Sequence, residues 1–374
     1  MQLTNISLSQ FRTYHKEILS FSPTVTLLLG PNAIGKTNIL DAIYYLAFTK
    51  SFINNIDSQN INHDEQFFLV QGSFKLGGSN SEVIQCLQKR NQKKEFKRNK
   101  KEYDRMSDHI GFLPLVMVSP SDSNLIHYGS DERRKFIDVV ISQFDKPYLD
   151  NLISYNKSLA QRNALLKQFA QSRYFDKQSL EIWDDQIITL GTEIYKTRNE
   201  FIESFIPLFN KYFRIITSGK EEVSLSYESQ INTTSLEVLI KNSVEKDCAS
   251  QYTNYGIHKD DIIFNIQGLP VKKFGSQGQQ KSFMVAIKLA QFEYTKNIKG
   301  YKPILLFDDI FDKLDNNRVE QIIELVSENI FGQVFITDTQ KERIDHVISE
   351  LNASYKIFGI NYGSAVEIFN NENK

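Results

Sequence analysis

Cysteine is nearly absent. Cys86 and Cys248 are the two cysteines of a 374-residue chain, and they form neither a metal-ligand spacing nor a disulfide framework. That excludes a disulfide-stapled secreted scaffold and fits a reducing compartment, so a cytoplasmic location is expected. Long apolar runs are missing too. No stretch of the chain approaches the roughly 18 apolar residues that a membrane-spanning helix needs, so no membrane partner is expected. Met1-Gln2-Leu3-Thr4-Asn5-Ile6 has no basic start and no long apolar core, and no signal peptide is expected. Charge of one sign is also lacking. Forty-four Lys and Arg stand against 45 Asp and Glu, a formal net charge of −1. Any nucleic-acid surface must therefore come from local clustering. No internal repeat or low-complexity segment stands out. The whole chain is 41% hydrophobic and 24% charged, as in soluble globular proteins. The length allows two or three domains of roughly 100–200 residues each.

The strongest positive signal is Gly30-Pro31-Asn32-Ala33-Ile34-Gly35-Lys36-Thr37. The apolar run 24–29 before it predicts a buried strand, and 38–46 after it predicts a helix. G-x-x-x-x-G-K-T in that setting is a phosphate-binding loop. Its glycines let the backbone turn tightly and aim N–H groups at phosphate oxygens. The helix N-terminus, opening at Asn38, adds unpaired donors. Lys36 is expected to reach the β- and γ-phosphates of ATP, and the Thr37 hydroxyl to hold Mg²⁺.

Around this loop the chain alternates. Leu3, Ile6 and Leu8, a turn at Phe11-Arg12-Thr13-Tyr14, and Ile18, Leu19 and Phe21 predict an antiparallel strand pair. Residues 49–63 are polar, rich in Asn, and read as surface loop. Residues 67–74 and 83–87 read as strands with a turn at Gly77-Gly78, and 114–118 as a short buried strand. From about 124 to 220 the period becomes helical. Phe136, Val139, Val140 and Phe144 share one face, and so do Ile187, Leu190, Ile194, Phe201, Phe205, Phe209 and Phe213, with Gly191 and Pro207 as bend points. Residues 223–227 return to strand, and Thr234-Ser235-Leu236-Glu237 reads as a helix start. Strand 262–266, helix 279–296, strand 303–307, helix 316–329, strand 334–337, helix 341–350 and terminal strands follow. The expectation is an α/β body with buried strands and an inserted α-helical arm, divided as 1–123, 124–250 and 251–374.

A basic stretch precedes the arm: Lys89, Arg90, Lys93, Lys94, Lys97, Arg98, Lys100 and Lys101 against Glu95 and Glu102. Phe96 and Tyr103 interrupt it, and Arg98-Asn99-Lys100 suits a hairpin tip. One reading is a hairpin that contacts nucleic-acid phosphates through Lys97, Arg98, Lys100 and Lys101. The other is a solvated sheet edge whose lysines block aggregation.

Three further features bear on chemistry. Ile304-Leu305-Leu306-Phe307 ends at Asp308-Asp309. An acid closing a buried strand in a phosphate-loop protein is placed to hold Mg²⁺, which suits Asp308. Asp309 sits where a base would orient the attacking water; the alternative for the pair is a helix cap. Phe274-Gly275-Ser276-Gln277-Gly278-Gln279-Gln280 is a Gly-flanked turn opening a helix, able to meet a phosphate. One nucleotide does not need two such helices from one chain. A two-fold dimer in which each Ser276 turn faces the partner's nucleotide resolves this; a plain polar turn is the alternative. Lys313-Leu314-Asp315 is weaker, since Asp315 is also a natural helix cap.

The order of these parts resembles ABC/SMC-type ATPases, and within them the RecF family. Phe11–Tyr14, Ser119-Pro120, Arg133-Arg134-Lys135-Phe136-Ile137-Asp138, Gly256-Ile257-His258-Lys259-Asp260-Asp261 and the 274–280 turn match the family's motifs in order over essentially the whole chain. The resemblance implies an ATPase head with a mixed sheet, its N-terminal lobe carrying the phosphate loop and its C-terminal part the signature turn and acidic pair, plus a helical arm. It implies binding to double-stranded and gapped DNA and an ATP-dependent homodimer. It also implies a weak, DNA-stimulated ATPase used as a switch in replication, recombinational repair and the SOS response to DNA damage, with RecO and RecR as partners in loading RecA on single-stranded gaps. It places Arg12 near the phosphates, Ser276 in trans on the γ-phosphate within the signature Ser276-Gln277-Gly278-Gln279, and Asp309 as the base.

The chain departs from the wider ABC pattern at several points. Asp309 stands where Glu is usual, Ser119-Pro120 where a Gln is expected, and Asp338 where a switch His is expected. From the family's own pattern it departs at Ile53, Ile257 and Lys259, where Arg, Pro and Arg are usual. His258 is read either as part of the dimer face or as a buried structural residue. The ABC-wide losses fit slow hydrolysis that times release. An ABC-type ATPase coupled to a transporter is the alternative; it would need the missing Gln and His. A P-loop kinase or scaffold would leave the 276–280 turn without a purpose.

Overall fold

The computed structural model describes residues 1–77, 81–312, 314–327, 330–350 and 353–371. Gly78 of the expected turn, Lys313, and the last two residues of the expected helix 316–329 lie outside the described residues. In chain order the elements are β1 (Gln2–Phe11), β2 (Tyr14–Ser20), β3 (Val25–Leu29), α1 (Lys36–Phe48), β4 (Phe67–Lys75), β5 (Ser81–Lys89), β6 (Glu95–Arg98), β7 (Lys101–Glu102) and β8 (Leu115–Val118). There follow α2 (Asn124–His127), α3 (Ser130–Ser142), α4 (Lys146–Ser172), α5 (Lys177–Ile216), β9 (Val223–Glu228), α6 (Leu236–Asn242), α7 (Val244–Ser250), β10 (Asp261–Ile266), β11 (Leu269–Pro270) and α8 (Val271–Phe274). Last come α9 (Gln277–Lys299), β12 (Ile304–Asp308), α10 (Asn316–Ser327), β13 (Val334–Asp338), α11 (Lys341–Glu350), β14 (Tyr355–Asn361) and β15 (Ser364–Asn370).

The chain separates into two compact units: Met1–Asp122 with Ile215–Ser218 and Gln277–Lys374, and Ser123–Arg214 with Gly219–Ser276. The second unit runs past residue 250, where the sequence pattern set the end of the arm. The cause is strand pairing: β10 is hydrogen-bonded to β9 from Asp261↔Glu228 to Ile266↔Val223, which ties 261–270 to the helical segment.

Among the described residues the first unit holds two six-stranded sheets. One is antiparallel, in the order β2-β1-β4-β5-β6-β7. Leu3, Ile6 and Leu8 of β1 are all fully buried although a strand alternates with period two. A register shift between Leu3 and Asn5 inserts the extra residue that brings both sets to the same face. The other sheet runs β15-β14-β3-β13-β12-β8, parallel except for the edge strand β15. β8, β12 and β13 are buried at every residue, as strands covered on both faces must be. The carboxyl ends of β3, β12 and β13 therefore open at one edge of this sheet, the usual ligand position in open parallel sheets.

The polar segment 49–63 is surface loop only in part: Lys50, Ile53, Asn55, Ile56, Gln59 and His63 are exposed, whereas Thr49, Ser51, Asn60 and Ile61 are buried, and Asn60 is wholly enclosed. Its polar residues read as exposed because their partners, Arg12 and Asp41, are distant in sequence.

In the second unit α5 is one continuous helix of 40 residues, roughly 60 Å at 1.5 Å per residue. Ile187, Ile194, Phe201, Phe205, Phe209 and Phe213 are buried along one stripe as expected. The helix runs without interruption through Gly191 and Pro207. Gly191 is a contact point, since a Cβ there would lie 2.6 Å from Leu236 Cδ2 and 3.1 Å from Tyr155 Cε2. On α3 Ile137, Val140 and Ile141 are fully buried; of the expected face Val140 is among them, while Phe136, Val139 and Phe144 are half-buried. Two enclosed guanidiniums shape this unit. Arg162 meets Asp184, Asp247 and Thr253, and Arg198 meets Asp138, Tyr148, Asp260 and the Ile257 carbonyl. Half-buried His258 is held within this unit: its ring nitrogens lie 2.8 Å from Tyr155 Oη and 3.1 Å from the Thr253 carbonyl, and burial pushes it down to about 4.

A second buried histidine secures the end of α1. His109 Nε2 lies 2.7 Å from the Leu46 carbonyl, so it carries the proton, and Nδ1 accepts from Tyr103 Oη at 3.0 Å. Burial pushes His109 from 6.5 down to about 4; the Leu46 carbonyl opposes that shift and nearby Arg98 adds to it. Between those values the unfolded chain binds a proton that the folded chain refuses. The stability is thus full above pH 6.5 and is lost as pH falls toward 4. The expected slope is about 1.4 kcal/mol per pH unit. Urea midpoints of wild type and His109→Gln, followed across that window, should fall more steeply for wild type; parallel curves would show that His109 titrates normally.

Candidate functional site

β3 ends in apolar Leu29, and the chain then curls through residues 30–35. Ala33 at φ 61° and Gly35 at φ 118° both adopt left-handed backbone, which turns successive N–H groups toward one concavity. Gly30 has no room for a side chain, because a Cβ would lie 2.8 Å from the Ile360 carbonyl of β14. Lys36 opens α1, and its Nζ donates to the Gly30 and Pro31 carbonyls at 2.7 and 2.9 Å. The ammonium is thus held inside the loop, 4% exposed.

The β1–β2 turn braces this loop. Tyr14 Oη donates to the Gly35 carbonyl at 3.1 Å, and Asn38 Nδ2 donates to Thr13 Oγ1 at 3.0 Å. Arg12, at φ 54°, reaches Asn38 Oδ1 at 3.4 Å and forms an ion pair with Asp41 at 2.8 Å. The same guanidinium donates to Ser51 Oγ and Asn60 Oδ1 at 3.1 and 2.9 Å. The resemblance implied Arg12 near the phosphates; the structure shows it beside the loop helix, anchored in a buried network that the sequence reading missed. Burial pushes the Asp41 carboxyl up; Arg12, the Ser51 hydroxyl and the Phe52 and Ile53 N–H groups oppose it.

The acidic end meets the loop directly. Thr37 Oγ1 donates to Asp308 Oδ1 at 2.9 Å, and Thr337 Oγ1 donates to the same oxygen at 2.9 Å. Asp309 turns away at φ 45°, its N–H donating to Thr337 Oγ1 at 2.9 Å. Burial pushes both carboxyls above the ordinary range, opposed at Asp308 by the two threonines and at Asp309 by Lys36. Lys281 of α9 shares this field: burial lowers it, against Asp122, Asp312, Asp308 and Asp309.

Two of the positions that depart from the ABC pattern, Asp338 and Ser119, make local contacts. Asp338 Oδ1 accepts the Thr339 and Gln340 N–H groups at 2.6 and 2.8 Å and lies just ahead of α11. After β8, Asp122 accepts the Ser119 N–H at 2.7 Å and pairs with Lys288 at 2.8 Å. The signature turn opens α9, with Ser276 and Gln277 exposed and Gly278 and Gln279 half-buried. Further along that helix Ser282 Oγ accepts from Arg318 Nη1 at 2.9 Å, while Arg318 Nε pairs with Asp315 at 3.1 Å. Asp315 also accepts the Arg318 N–H at 3.0 Å, so it caps α10. Arg318, unmarked in the sequence, thus joins two motifs that looked separate.

The basic stretch does form a hairpin. Asn99 and Lys100 take φ 49° and 70°, a two-residue turn between the paired Arg98 and Lys101. Much of its charge is neutralised within the fold. Arg98 makes a two-pronged contact with Glu82 at 2.8 and 2.9 Å, Lys97 pairs with Glu95 at 2.7 Å, and Lys94 with Asp57 at 2.6 Å. Lys93, Lys100 and Lys101 are exposed.

The residues fit a triphosphate with a hard divalent cation. Thr37 and Asp308 offer a hydroxyl and a carboxylate oxygen 2.9 Å apart, the sparse oxygen donor set Mg²⁺ accepts beside substrate phosphates.

Comparison with known proteins agrees with this geometry. Residues 2–361 match the family model described as the RecF/RecN/SMC N terminal domain. The DNA replication and repair protein RecF of Phocaeicola vulgatus is 48% identical, covering 98% of each chain. That of Flavobacterium johnsoniae is 48% identical over 96% of this chain and 100% of its own. A solved structure described as the recombination mediator protein RecF-ATP in the RecFOR pathway superposes with a TM-score of 0.88 at 30% identity, over 98% of each chain. Near-complete coverage at this identity, on the same ABC/SMC head fold, leads to one conclusion: the chain belongs to the RecF family of DNA replication and repair proteins.

Proposed function

We propose that this chain binds ATP and Mg²⁺ at the phosphate loop, dimerises on ATP over double-stranded or gapped DNA, hydrolyses ATP slowly, and helps RecO and RecR load RecA on single-stranded gaps. The observation that carries the reading is the 2.9 Å bond from Thr37 to Asp308, which joins the loop to the acid of β12 with Lys36 already inside the loop. The ATP named for the solved relative supports the choice of nucleotide. No helix among the described residues is long and apolar enough to cross a membrane.

In this reading the loop N–H groups and Lys36 hold the phosphates. Thr37 and Asp308 hold Mg²⁺, which neutralises charge on the β- and γ-phosphates. Asp309 orients the attacking water and accepts its proton. Ser276 of a second copy closes over the γ-phosphate, so ATP supplies the counter-charge that the interface lacks alone. The first unit is the ATPase head and the second the arm. With Arg98 and Lys97 paired internally, Lys100 and Lys101 are the stronger DNA contacts of the hairpin.

Sedimentation with and without ATP tests the dimer. Ser276→Arg should bind ATP as wild type does yet stay monomeric; an ATP-induced dimer of that variant would refute the trans role. For DNA, the double variant Lys100→Ala/Lys101→Ala should lower the slope of log affinity against log salt by about two, roughly one per phosphate contact. An unchanged slope assigns these lysines to solubility.

A further inference from the structure

Thr337 is not singled out by any motif, yet it touches both acids. It sits on β13, the strand between the loop-bearing β3 and the acid-bearing β12, in register with Leu28 on one side and Asp308 on the other. Side chains of register partners point to the same face, so its hydroxyl meets the Asp308 carboxylate. That hydroxyl has one hydrogen and accepting lone pairs. The hydrogen goes to Asp308 Oδ1 at 2.9 Å, and the oxygen accepts the Asp309 N–H at 2.9 Å. Thr337 is fully enclosed.

We propose that Thr337 is the positioning residue of the acidic pair: its O–H holds the Asp308 carboxylate in the rotamer that ligates the metal, and its oxygen holds Asp309 in the left-handed turn that aims the base. The inference rests on the nucleotide-site reading above. Two facts make the single hydroxyl decisive. Thr37 is the other hydroxyl bonded to Asp308 Oδ1, and the same Thr37 oxygen is the one expected to ligate metal. Once it does so, Thr337 still holds that oxygen. Asp309 in turn has φ 45°, a region that non-glycine residues hold only when the surroundings enforce it. Its N–H to Thr337 is the enforcing contact. Valine has the shape of threonine without the hydroxyl, so Thr337→Val removes both bonds and little volume. Serine keeps the hydroxyl and loses one methyl.

The test uses the full chain with Mn²⁺ as a spectroscopic substitute for Mg²⁺ in the presence of ATP. Thr337→Val should weaken Mn²⁺ binding by about tenfold, as loss of an outer-sphere partner does, read by electron paramagnetic resonance. At saturating Mg²⁺ its kcat should fall at least about tenfold with KM for ATP within about twofold. Thr337→Ser should restore both. Wild-type metal affinity and kcat in Thr337→Val overturn the proposal, and so does equal loss in the Val and Ser variants, which would mark a packing defect. Absence of ATP and Mn²⁺ binding in the wild-type chain would overturn the nucleotide reading as well. Wild-type binding with an unaffected Val variant overturns this inference alone.

Discussion

One oxygen, Oδ1 of Asp308, organises the site. It accepts hydroxyls from Thr37 at the start of α1 and from Thr337 at the end of β13. Three stretches more than two hundred residues apart in part are joined there: the phosphate loop, the strand that carries the acids, and the strand between them. The strand order β3-β13-β12 puts Thr337 between the loop-bearing and acid-bearing strands. The loop helix reaches Asp308 directly through Thr37, and the intervening strand adds a second hydroxyl to the same oxygen. A hydroxyl suits that place because it donates to one acid while accepting from the backbone of the next.

The loop's other side depends on charge buried with its partner. Arg12 and Asp41 lie in the shelter of Ser51, Phe52 and Asn60. Removing one member of such a pair strands the other in low dielectric, typically at about 3–5 kcal/mol. The β1–β2 turn, α1 and segment 49–61 are consequently fastened to each other, and the loop rests on that frame. The second unit uses the same device twice, at Arg162 and Arg198, where each guanidinium gathers groups from several elements. In both units the polar interior sets which segments meet.

The legible parts of the chain were those whose signal is local. The strand before Gly30, the helix after Thr37 and the acids closing β12 each declare themselves within about ten residues. The stripe of α5 was readable for the same reason, being a single uninterrupted period. On α3 the expected Val140 is buried, but the full burial of Ile137 and Ile141 was not read. Segment 49–63 misled at Ser51 and Asn60 because polarity is a statement about composition, and these two are satisfied by residues far along the chain. The basic hairpin itself was legible, but counting lysines and arginines does not reveal that Glu82 and Asp57, from outside the stretch, pair with Arg98 and Lys94.

By itself, then, the order of residues determined the loop, the two acids, the signature turn, and the family to which they point, because backbone geometry and helix or strand period are written over short spans. Tertiary structure decided which hydroxyl holds the acids, which carboxylate holds Arg12, and which lysines remain exposed. Those outcomes depend on strand register and on partners brought together from distant positions, and a hydrogen bond that forms only after the sheet has assembled leaves no mark in either neighbourhood.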